Sequence, residues 1–124
     1  MSITFYNPKK PVQYDNDFNI VGDNVEVNMS NVNAKEVISF LRLPCDDTGY
    51  DMYGQITARD LSVACKRALL RLNNVSGLDP ALPSSNDGNF FFMGRAEGYL
   101  QSKVQLLLTL TESCDSDEDV IVWG

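Results

Sequence analysis

The sequence predicts an α+β fold, with three helices packed on a small, mainly antiparallel sheet. Three observations carry this expectation. Apolar residues recur at helical spacing in three separate segments, and shorter stretches around them alternate apolar and polar with the period of a strand. The length of 124 residues, 44% of them hydrophobic, suits one compact domain, 1–124, whose first 24 residues are less regular. A chain of this size buries roughly two-thirds of its unfolded surface on folding and needs no metal or disulfide staple.

Ile3 and Phe5, with Tyr6, suggest a short first strand that Pro8 and Pro11 interrupt. Phe18-Asn19-Ile20 and Val25-Glu26-Val27-Asn28-Met29 alternate on either side of Gly22-Asp23-Asn24, which predicts a β-hairpin between them. Asn33 followed by Glu36 resembles a capping box. It opens a first helix whose buried stripe is Ala34, Val37, Ile38 and Leu41 and which Pro44 stops. Cys45 to Gly54 holds three Asp, two Gly and two Tyr, a loop composition. Thr57 with Asp60 starts the second helix, with Leu61, Cys65, Ala68 and Leu72 on one face and Asn73-Asn74 and Gly77 at its end. Residues 75–88 carry two Pro, two Gly and three Ser and predict a long surface loop before an aromatic strand at 89–93. A third helix is expected from Arg95 to Ser113, an acidic turn at 115–119, and a strand at Val120-Ile121-Val122-Trp123.

Composition excludes several functions. Ten basic residues stand against 17 acidic ones, a net charge of −7, which disfavours an extended phosphate-binding surface and direct nucleic-acid binding. The same charge suits an acidic face that meets a basic partner. With no histidine, Ser-His and Cys-His nucleophile pairs and histidine metal motifs are absent, and the residues suggest no catalytic group, cofactor or metal site. Three widely spaced cysteines, an odd number, fit neither a disulfide framework nor a zinc site, and point to a reducing cytoplasm. No apolar run is long enough to cross a membrane, and the first 15 residues lack the pattern of a secretory signal.

Four constellations remain. Gly94-Arg95-Ala96-Glu97-Gly98 follows a predicted strand and opens a predicted helix, where backbone N–H groups and an arginine can hold an anion. Gly94, Arg95 and Gly98 are thus candidate ligands for a nucleotide, although the full dinucleotide and P-loop spacings are missing and a turn at Gly94 with close helix packing at Gly98 is the simpler reading of the glycines. The second helix carries four of the ten basic residues, Arg59, Lys66, Arg67 and Arg71, a solvated face without an aromatic stacking platform beside it. Asp115, Asp117, Glu118 and Asp119 lack the Gly and Glu positions of a calcium loop and are read as an acidic turn that can meet a basic partner. Phe91, Tyr99 and Trp123 are either core residues or interface anchors.

Met29-Ser30-Asn31-Val32-Asn33-Ala34, Tyr53-Gly54-Gln55-Ile56, Gly94-Arg95-Ala96-Glu97-Gly98-Tyr99-Leu100 and Val120-Ile121-Val122-Trp123-Gly124 together resemble small uncharacterised phage and bacterial accessory proteins. The resemblance spans roughly residues 25–124, and the Gly-Arg-x-x-Gly-Tyr-Leu stretch is its most distinctive part. It implies a phage accessory protein made in the host cytoplasm and carries over no catalytic residue. The expectation is a non-enzymatic protein that binds and inhibits a basic or nucleic-acid-binding host protein, presenting carboxylates where phosphates would dock. The alternative is a nucleotide-binding module, a sponge or a weak enzyme, at Gly94 to Gly98. Leu106, Leu107 and Leu108 are consecutive and spread apolar surface around the third helix. This predicts a homodimer with that helix or the aromatic strand at its two-fold axis and Leu108 in the interface, unless the chain's own helices cover it.

Overall fold

The computed structural model describes residues 2–47, 52–83, 85–87, 90–92 and 95–124, with backbone alone at 46–47, 85–87 and 90–92. In chain order the elements are β1 (Ser2–Tyr6), β2 (Gln13–Tyr14), β3 (Ile20–Val21), β4 (Glu26–Ser30), α1 (Asn31–Leu41), β5 (Asp46–Asp47), β6 (Met52–Thr57), α2 (Ala58–Asn74), β7 (Ser85–Asp87), β8 (Phe90–Phe92), α3 (Tyr99–Glu112) and β9 (Val120–Trp123). The class is α+β, as the sequence predicts. Five strands form one antiparallel sheet in the order β4-β1-β9-β6-β5, and β2–β3 and β7–β8 are separate two-stranded ribbons.

Alternation along the strands fixes which face of the sheet is covered. Ile3 and Phe5 lie opposite Met29 and Val27, and Phe5 also lies opposite Trp123. All are buried, together with Ile121, and the Phe5 and Trp123 rings stand 5.2 Å apart. The helices cover this face with Val37, Ile38, Leu61, Cys65, Val104 and Leu107, among others, so one apolar cluster joins all three helices to the sheet. Burial pushes the Cys65 thiol up to about 12, so it behaves as a small hydrophobe.

The structure corrects several boundaries. The expected hairpin between Phe18–Ile20 and Val25–Met29 does not form. Val27 and Met29 are core residues and pair with β1, whereas Ile20 and Val21 pair with Tyr14 and Gln13 and stay exposed. The helix α1 is capped by Ser30, whose hydroxyl accepts from the Asn33 N–H, and not by an Asn33–Glu36 box. It ends at Arg42, which takes the left-handed conformation at φ 56°, before Pro44 is reached. The segment read as a loop at 45–54 contains β5 and the start of β6. Gly54 is there because it faces Trp123: a Cβ at this position would collide with the indole and stand 2.7 Å from the Pro44 carbonyl. The loop expected at 75–88 likewise contains β7.

The helix α2 starts where the sequence places it, with the Thr57 hydroxyl accepting from the Asp60 N–H at 3.2 Å. The helix α3 starts four residues later than expected. Arg95 is held in a bridge with Leu82, each N–H donating to the other's carbonyl at 2.8 and 2.9 Å, and Gly98 at φ 84° makes the turn into the helix.

Candidate functional site

The anion site expected at Gly94–Gly98 is filled by the chain itself. Gly94 lies outside the described residues. The Arg95 side chain, 2% exposed, pairs with Glu36 and reaches Asn33, and its guanidinium lies over the Tyr99 ring at 5.6 Å. The amides at the start of α3 are engaged too: Leu100 and Gln101 donate to the two carboxylate oxygens of Asp79, each at 2.9 Å. A helix N-terminus favours a negative group, and the 75–83 segment supplies it as Asp79. Arg95 therefore ties α1 to α3; its Nε has no hydrogen-bond partner but is buried, out of reach of a phosphate. Tyr99 is half-buried between Arg95 and Lys103, and burial raises its phenol above the ordinary value.

The acidic turn is likewise engaged internally. Lys9 donates to the Asp119 carboxylate at 2.9 Å, and Lys10 donates to Asp115 at 2.7 Å. Glu118 pairs with Arg59, and the carbonyls of Asp117 and Asp119 accept from the N–H groups of Arg59 and Ala58. The turn thus caps the start of α2 and holds down residues 9–10. The hydrogen bond from Lys9 holds the Asp119 carboxyl below the usual carboxylate range, and the same bond raises the Lys9 ammonium. Asp117 keeps an exposed carboxylate; Asp115, Glu118 and Asp119 already have partners. Among the described residues no cluster of three metal-ligating side chains occurs, and no helix is long and apolar enough to cross a membrane.

Two proposed interface anchors are core residues. Trp123 is 3% exposed against Phe5, and Leu108 is 7% exposed, so a charge at either place would disrupt the fold and not a dimer contact. Leu107 and Leu110 are buried as well, which leaves Leu106 as the exposed leucine of α3. The wide apolar arc of this helix is covered by the chain's own elements. Phe91 lies opposite Asn86 in the β7–β8 ribbon, and its side chain lies outside the described residues.

The geometry draws attention instead to two places, of which the sequence pattern marked only the basic face of α2. The first is the β2–β3 ribbon. Phe18 is 85% exposed at its tip, with Tyr14, Ile20 and Val21 each about half-exposed behind it. Phe18 also sits at φ 63°, a left-handed conformation that costs a bulky L-residue about 1–2 kcal/mol. Asp15 maintains the tip: one carboxylate oxygen accepts from the N–H groups of Asp17 and Asn19, both at 2.9 Å, and these bonds lower its pKa. Residues 11–34 contain Asp15, Asp17, Asp23 and Glu26 and no basic residue. The apolar tip carries Asp15 and Asp17 in its turn, and Asp23 and Glu26 follow β3 at the base of the ribbon.

The second place is a cleft of about 430 Å³ between the end of α1 and the outer side of α2. Phe40, Leu43, Ile56, Val63 and Ala64 give it apolar walls, and its charged lining is Arg42, Arg67 and Arg71 against one acid, Asp60. Arg71 stacks over the Phe40 ring at 4.5 Å. Among the described residues, no carboxylate forms an ion pair with Arg42, Arg67 or Lys66. The basic face of α2 noted in the sequence is therefore one wall of an apolar cleft that α1 completes. Searches against family models, curated proteins and solved structures return no match to this chain.

Proposed function

We propose that this chain is a non-enzymatic binding protein that docks on a basic protein partner through the β2–β3 tip and inhibits it by occupancy. The observation that supports the reading is Phe18, which is held in a left-handed conformation and left 85% exposed. Strain and exposure of a large apolar side chain both oppose the free protein, and an interface that buries the ring offsets them. Phe18 enters an apolar pocket of the partner, while Asp15 and Asp17 beside it meet Lys and Arg around that pocket. In a nucleic-acid-binding partner those are the positions that phosphates occupy, so docking competes with the nucleic acid. On this reading, and on what the resemblance noted above implies, the chain is a phage accessory protein acting on a host protein in the cytoplasm.

The test is a pull-down from host lysate with the wild type and with Phe18→Gly. Glycine accepts the left-handed conformation without strain, so the variant keeps the turn while losing the ring. The expected result is one dominant basic protein on the wild type, released as salt rises, and its loss on Phe18→Gly. Equal capture by the variant, or no basic partner at low salt, overturns the reading.

A further inference from the structure

We propose that the α1–α2 cleft is the receptor for the hairpin tip of a second copy of this chain. The inference rests on the reading of the tip as a docking element, and adds the site that receives it. Complementarity is the argument. The tip presents an aromatic ring with Asp15 and Asp17 in the same turn, and Asp23 and Glu26 follow at the base of the ribbon; the cleft presents apolar walls with Arg42, Arg67 and Arg71 in its lining.

Within one chain the two do not meet. Phe18 is 85% exposed, and no residue of the β2–β3 ribbon lines the cleft. A void of about 430 Å³ has the size of pockets that admit drug-sized molecules, and so admits a phenyl ring. Its arginines are placed to receive carboxylates. Arg42 and Arg67 have no carboxylate partner among the described residues, and Arg71 stacks on the Phe40 ring. The two non-glycine residues with positive φ among those described are Phe18 and Arg42, one on each proposed surface. At Arg42 a glycine would end α1 with less strain, so the arginine places a guanidinium at the cleft at the cost of that strain. Each copy carries both a tip and a cleft, so two copies exchange tips in a closed pair, or successive copies join head to tail.

The overall charge of −7 resists any pairing of copies, and salt weakens both that repulsion and the local attraction. A charge exchange isolates the local contact better than a salt series. Purified wild type, Phe18→Gly, Asp17→Arg and Arg67→Glu are compared by light scattering, with circular dichroism to confirm folding. The wild type is expected to rise above 13.8 kDa at high concentration, and each single variant to stay near it. An equimolar mixture of Asp17→Arg with Arg67→Glu is expected to associate again, because every tip–cleft contact between unlike copies then joins opposite charges.

Three outcomes overturn the proposal: a wild type that stays monomeric throughout, folded variants that associate as strongly as the wild type, or a mixture that does not recover. The first of these leaves the pull-down reading standing. Loss of self-association in Phe18→Gly with unchanged capture of a basic protein overturns that reading and leaves the self-pairing intact.

Discussion

The turn at 115–119 and the segment 13–26, which holds the β2–β3 ribbon and leads into β4, are both acidic, yet they stand in opposite relation to the rest of the molecule. In the turn, Asp115, Glu118 and Asp119 are paired with Lys10, Arg59 and Lys9, and the backbone carbonyls fasten the start of α2. In the segment 13–26, Asp15 serves its own turn, Glu26 accepts from the Tyr14 hydroxyl at 2.6 Å, and Asp17 has no side-chain partner among the described residues. Acidic composition alone does not separate a segment that closes a fold from one that faces outward. What separates them is whether a cation is brought within reach, and here the chain brings Lys9 and Lys10 to the turn from more than 100 residues away.

This contrast can be broken most forcefully on the C-terminal side. Gly54→Val places a branched side chain against the Trp123 indole and the Pro44 carbonyl, which cannot both retreat, and is expected to destabilise by about 3 kcal/mol or more. Thermal unfolding measures this, and a melting temperature equal to the wild type's would show that β9 does not depend on the close approach. Asp119→Asn is expected to act less strongly and with a pH signature. The Asp119 pKa is lowered in the folded protein, so the carboxylate stabilises above about pH 4, its ordinary range, and loses that effect as pH falls through the lowered value. Lys9 is shifted the other way, so its contribution holds below its ordinary value and fades as pH rises through the raised one. The gap in melting temperature between wild type and Asp119→Asn should therefore be full near neutrality and close only as pH falls below the ordinary carboxylate range. A gap that is independent of pH would rule out the ion pair as its cause. On the hairpin side, Asp17→Ala is expected to change stability by no more than about 0.5 kcal/mol, as for exposed sites without partners. A larger loss in chemical denaturation would mean that the hairpin, too, is part of the fold's support.

The sequence reveals most where burial dictates the pattern. Thr57, Asp60, Leu61, Cys65 and Ala68 place α2 because its cap and its buried stripe are local, and the β9 strand is equally plain from Val120 to Trp123. It misleads where a partner lies far along the chain. Gly54 looks like a loop residue until Trp123 is opposite it, and Glu36 looks like part of a cap until Arg95 takes it. Arg95 stands out in the sequence beside two glycines, but its role depends on Asn33, Glu36 and Tyr99, and the anion expected there is Asp79. The tip was missed for a related reason. Alternation at Phe18-Asn19-Ile20 suggests a half-buried strand, yet no element covers that face, and only the positive φ of Phe18 and its exposure distinguish it. The cleft needed both helices in place, since α1 supplies Phe40 and Leu41 at its end and α2 supplies Val63, Ala64, Arg67 and Arg71.

The central position of β9 also sets an order of assembly. Its neighbours β1 and β6 are made early, and each joins the other half of the sheet only through this late strand, with Phe5 waiting for Trp123 across nearly the whole chain. Before β9 is made, the strands therefore pair only as β4–β1 and β6–β5, each with an open edge toward the missing strand. Such edges recruit foreign strands readily. Contacts this distant in sequence also form slowly once the chain is free to close them. A ribosome-bound chain that stops before β9 should thus be a client for chaperones, whereas one that includes β9 closes the facing edges of β1 and β6 in a single docking event.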